Sequence, residues 1–140
     1  MALSTFQRIA LGIAGATALA IGAFILAAPH AFYASYGIAL PSDPNLLSEL
    51  RAPGAGLAAL GALMLAGIFR SALAPAAIAA AFTVFIAFPA GRLVSLAMDG
   101  MPSTSVLGAL GIEVAIAALC LVAFRPRVAS SLAGTAGQPG

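Results

Sequence analysis

Five charged side chains hold most of the chemical capacity of this chain: Glu49, Arg51, Arg92, Asp99 and Glu113. They are half of its charges, which number only six basic and four acidic. Arg92 precedes Asp99 by seven residues, about 10 Å along a helix. Glu113 lies about 12 Å inside the last apolar stretch, counted from Ser105. If these two stretches run antiparallel from a shared loop, Arg92 and Glu113 reach similar depth. A lone charge at mid-membrane costs roughly 2.5–3.5 kcal/mol, so pairing is the expected resolution. Arg92, Ser95 and Asp99 also share one helix face.

Two readings follow from these residues. In one, an Arg–Glu pair ties two helices together and fixes their register, although such pairs are not reliably stabilising. In the other, Glu49, Arg51, Arg92, Asp99 and Glu113 converge in a small polar cavity that holds a substrate or a lipid headgroup. A carboxylate in low dielectric would serve there as acid or base. Pro89 sharpens the second reading, because proline frees the carbonyl four residues back, at Phe85.

The elements that position these groups are transmembrane helices. The chain is 62% hydrophobic and 7% charged, against about 25% charged in soluble domains. With so few charges, most of its surface must face lipid. Residues 9–28, 53–69, 72–91 and 106–124 form four apolar stretches, the last interrupted only by Glu113. The expected fold is an all-α, integral membrane four-helix bundle. Residues 1–128 form its single domain, and residues 129–140 a small polar tail expected to be disordered. The first stretch exceeds the roughly 7–15-residue signal-peptide core and is expected to be a retained helix.

Arg8, Arg70, Arg125 and Arg127 flank the stretches on one side; Asp43, Glu49 and Asp99 lie on the other, offset by Arg51 and Arg92. The positive-inside rule then places both termini in the cytoplasm. The longest external connection holds Pro29, the interfacial aromatics Phe32, Tyr33 and Tyr36, and Gly37, which is suited to closing a helical turn. Asp43 before Pro44 is a helix start. Residues 45–52 are expected to form a short interfacial helix, kinked or restarted at Pro53. Small residues recur every four positions at Gly54, Ala58, Ala62 and Ala66, at Ala14, Ala18 and Gly22, and at Gly111 and Ala115. Such stripes let helix backbones approach within the bundle, or across a homo-oligomer seam.

Much else is excluded. A single cysteine and a single histidine cannot build an ordinary zinc or heme site. Cys120 reads as a packing residue, and His30 as a solvated or capping group. There is no Walker loop, HExxH, CxxC or GxSxG, so no cofactor or metal is expected. A net charge of +2 gives no nucleic-acid footprint. Four helices without a charged pathway argue against a stand-alone transporter.

The segments Leu47-Ser48-Glu49-Leu50-Arg51-Ala52-Pro53-Gly54 and Gly91-Arg92-Leu93-Val94-Ser95-Leu96-Ala97-Met98-Asp99-Gly100-Met101-Pro102 resemble the bacterial membrane family called domain of unknown function 4345. Residues 29–37 and the Glu113 helix also fit, so the resemblance covers residues 5–125. It implies a four-helix architecture in a bacterial inner membrane and marks Glu49, Arg51, Arg92, Asp99 and Glu113 as a polar signature. It implies no activity. The expected partners are membrane lipid and either a larger membrane complex, with the chain as accessory subunit, or a lipid-like ligand. The alternative is a small membrane enzyme, an isomerase, cyclase or hydrolase, using a carboxylate of the cluster on an apolar substrate.

Overall fold

The computed structural model describes residues 2–136. The described residues form four long α-helices and one short one: α1 (Thr5–Ala27), α2 (Pro29–Ala34), α3 (Pro44–Phe69), α4 (Ala74–Asp99) and α5 (Thr104–Ala136). A single 3-10 turn, Ser71–Leu73, joins α3 to α4. The four long helices are apolar and long enough to cross a membrane, and each leaves most of its surface outside the protein interior. That combination suits lipid as the outer solvent and defines a multi-pass membrane protein.

Local chemistry sets the helix ends. At α1, the Ser4 hydroxyl accepts from Gln7 N–H at 3.2 Å and the Gln7 side chain accepts from Ser4 N–H at 3.1 Å, a capping box. Asp43 caps α3 by accepting from the Asn45 and Leu46 amides, with Pro44 at the first helical position. Gly37 adopts φ +77°. The Ile38 amide then donates to Tyr33 O and the Gly37 amide to Ala34 O, the Schellman closure of α2.

The α3 helix departs from expectation. Residues 45–52 are not a separate interfacial helix but the first turns of a continuous α3, with Pro53 inside it. Proline removes one hydrogen bond, which a membrane helix tolerates when its neighbours pack around the site. The short helix of this loop is α2 instead. At the other end of the chain, α5 continues to Ala136, through residues whose small, polar composition predicts a disordered tail. Alanine and leucine there favour helix; residues 137–140 lie outside the described residues.

The helices pack in two regimes. Near the termini, Leu11, Ala14, Met64, Ala77, Ala81, Cys120 and Phe124 are fully buried in one core. The Gln7 amide donates to Ala123 O at 3.0 Å, and Arg127 Nη2 to Ala2 O at 2.9 Å, so both termini lie at one end of the bundle. α1 and α3 touch backbone to backbone. A Cβ on Gly22 would overlap the Ala58 amide, and one on Gly61 the Leu19 amide. The buried stripe of α3 is Gly54, Leu57, Gly61, Met64 and Gly67, not the every-fourth series expected. Four residues advance a helix about 40° beyond one turn, so a strict four-residue series drifts off the contact face. On α5, Gly111 is exposed, with nothing within 4 Å of a would-be Cβ.

Candidate functional site

At the opposite end, which carries the loops, α4 has no buried residue beyond Pro89, and Glu113 is the first buried residue of α5. The helices leave a cavity of about 680 Å³ between them, within the roughly 300–1,000 Å³ of ordinary ligand pockets. α1 contributes Thr17, Ile21 and Ile25 to its wall; α4 contributes Phe85, Phe88 and Arg92; α5 contributes Leu110 and Glu113. Phe32, Tyr33 and Tyr36 cover it from the α2 side. Their rings are held by edge-on and tilted contacts around Phe32, with centroids 5.2–5.5 Å apart and Phe24 as the fourth member. The Ser103 hydroxyl donates to Tyr36 O at 3.3 Å and so ties the α4–α5 loop to this cover.

The charged centre is one ion pair. Arg92 Nε donates to the two Glu113 oxygens at 3.1 and 2.9 Å, and Nη2 donates to Oε1 at 3.0 Å. This two-pronged grip spans α4 and α5 at the depth that helix rise predicts. The Glu113 side chain is 10% exposed but the Arg92 side chain is 30% exposed, and both line the cavity. A guanidinium has five N–H donors. The Nη1 pair has no protein partner among the described residues. The Tyr33 and Tyr36 hydroxyls likewise have no hydrogen-bond partner among them. Burial pushes the Tyr33 phenol up from its ordinary value, opposed by the Arg92 charge, so it stays a protonated donor at neutral pH.

The other sequence-predicted residues stand apart from this centre. Glu49 and Arg51 are exposed on α3, and neither lines the cavity nor makes a side-chain hydrogen bond or ion pair among the described residues. The reason is register. With α3 unbroken at Pro53, Leu46, Leu47 and Leu50 take the half-buried positions, and Glu49 and Arg51, on either side of Leu50, are exposed. Asp99 is exposed at the end of α4, accepting from its own helix's Ser95 hydroxyl at 2.9 Å; Ser95 lines the cavity and Asp99 does not. Thus Arg92 and Glu113 meet, while Glu49, Arg51 and Asp99 do not join them. His30 is exposed and Cys120 is buried in the terminal core.

Thr17 and the two tyrosines are cavity residues that sequence reasoning did not select. Thr17 had a signal, as the one hydroxyl within residues 9–28. The tyrosines fitted an aromatic belt equally well.

Fold and cavity together define a small four-span integral membrane protein with a mostly apolar chamber at its loop end and one ion pair in the chamber wall. The family model described as Domain of unknown function (DUF4345) matches residues 6–124, and the chain belongs to that family. Comparison with curated proteins and with solved structures finds no match.

Proposed function

We propose that this protein binds a lipid-like small molecule in the loop-end cavity. The observation that carries the reading is the Arg92–Glu113 pair. A pair that served only to fix helix register would be enclosed by packed side chains, whereas the Arg92 side chain is 30% exposed, lines a mostly apolar 680 Å³ chamber and has no partner for Nη1 among the described residues. An apolar chamber with a few convergent polar groups is the common form of a small-molecule site. Glu113 is the one carboxylate in the described lining, and Arg92 engages both its oxygens, which favours binding over the acid–base role of the enzyme alternative.

The site is external and both termini are cytoplasmic, in a bacterial inner membrane; Arg8, Arg70, Arg125 and Arg127 support that orientation. Ser42→Cys should then react with an impermeant thiol reagent in intact cells and Ser131→Cys should not, and the reverse would invert the site. The binding reading is tested by mass spectrometry of lipids copurifying with the wild type and with Ala109→Phe, which adds a ring to the cavity wall from α5. A specific small lipid should accompany the wild type alone. Identical lipid profiles, or a stoichiometric partner protein in place of a lipid, would refute it.

A further inference from the structure

The polar groups of the cavity discriminate between headgroups. Arg92 supplies the one positive charge in its described lining, and Glu113 already matches that charge. A ligand carboxylate or phosphate on the Nη1 edge would leave two anions around one guanidinium in a low-dielectric wall, with like-charge repulsion and no second cation in the described lining. A ligand amine fares no better: both Glu113 oxygens are held by Arg92, whose charge repels it. The groups without protein partners among the described residues are donors or hydroxyls, namely the Nη1 hydrogens, the Tyr33 and Tyr36 phenols and the Thr17 hydroxyl. Apart from the Ser95 hydroxyl, which donates to Asp99, the remaining wall is aliphatic and aromatic. Resting on the binding reading above, we propose that the ligand is an amphiphile whose head is uncharged and accepts hydrogen bonds, of ester, ketone or amide carbonyl type. The head lies against Arg92 Nη1 and Tyr33 Oη, and the chain extends along Phe85 and Leu110.

The pair therefore acts as a charge filter. Arg92 contributes directed donors, while Glu113 removes the net positive charge that would recruit anionic lipids. Removing the Glu113 charge without changing its shape should reverse the preference.

The test uses three probes with one sixteen-carbon chain: methyl hexadecanoate, hexadecanoate and hexadecylamine. Each is titrated at pH 9 into the full-length protein in neutral detergent and read by native mass spectrometry, with Ala109→Phe as the filled-cavity control. The wild type should bind the methyl ester at least tenfold tighter than the carboxylate or the amine, and Ala109→Phe should lose that binding. Glu113→Gln should bind the carboxylate at least as tightly as the ester. Tyr33→Phe, outside the spans, should weaken ester binding severalfold and serves if Glu113→Gln does not fold. A wild type that prefers the carboxylate or amine, or an ester affinity unchanged by Tyr33→Phe, would overturn the headgroup assignment and leave the cavity reading intact. Equal binding of every probe to wild type and Ala109→Phe would overturn both.

Discussion

The two ends of the bundle are built from the same apolar residues to opposite effect. At the terminal end, small residues bring helices into contact, and Phe82 meets Phe124 edge-on at 6.2 Å. At the loop end, α4 and α5 carry larger side chains such as Phe85, Phe88 and Leu110 that line a space rather than fill it. Without a hydrophobic drive between helices in lipid, packing holds the bundle together. The α1–α3 seam supplies that packing along its length, from Gly61 to Gly22 and Gly54 beside the chamber, so α4 and α5 are free to line a space and carry a charged pair at the loop end. The closest helix packing and the candidate site therefore rest on different helix pairs, α1–α3 against α4–α5, and substitutions should separate them.

The largest effect belongs to the α1–α3 contact. Gly22→Leu or Gly61→Leu forces two backbones apart and should cost more than about 3 kcal/mol, above the usual overpacking range; thermal unfolding in detergent should show no folded protein. Gly111→Ala, which meets nothing, should stay within about 0.5 kcal/mol of wild type. Next comes the pair. Glu113→Ala should cost about 2–3 kcal/mol, below the 3–5 kcal/mol of a fully buried pair, because the Arg92 side chain is 30% exposed. Chemical denaturation would register this, and Arg92→Leu added to Glu113→Ala should recover most of it.

A matched pair of fillings sharpens the contrast. Ala81→Leu, in the closed core at 0% exposure, should cost about 1–3 kcal/mol. Ala109→Phe, into the chamber, should change stability by less than about 1 kcal/mol. The smallest effect is expected at Glu49→Gln and Arg51→Ala, within about 0.5 kcal/mol and without influence on ligand. A loss of several kcal/mol at Ala109→Phe would mean that the chamber is packed in the folded protein.

Legibility in the sequence followed the same division. The four spans, the Asp43–Pro44 start, the Gly37 closure and the matched depth of Arg92 and Glu113 each rest on local chemistry or helix rise, which one chain displays. The facing of Glu49 and Arg51 depended on whether α3 survives Pro53, a matter of tertiary packing. The small-residue stripe of α3 was misplaced because the contact face follows a mixed three- and four-residue repeat through Gly61 and Gly67. The chamber itself had no sequence signal, since residues that line a void and residues that face lipid have the same apolar character.

The central claim, that the loop end holds a ligand, meets its most direct test in an experimental density map of the wild-type protein purified gently from its own membrane. The account predicts elongated density inside the chamber, with one end within hydrogen-bond distance of Arg92 Nη1 or Tyr33 Oη and the Arg92–Glu113 pair intact. A chamber closed by α4 packed directly onto α1, with no room between Phe85, Ile21 and Leu110, would contradict it.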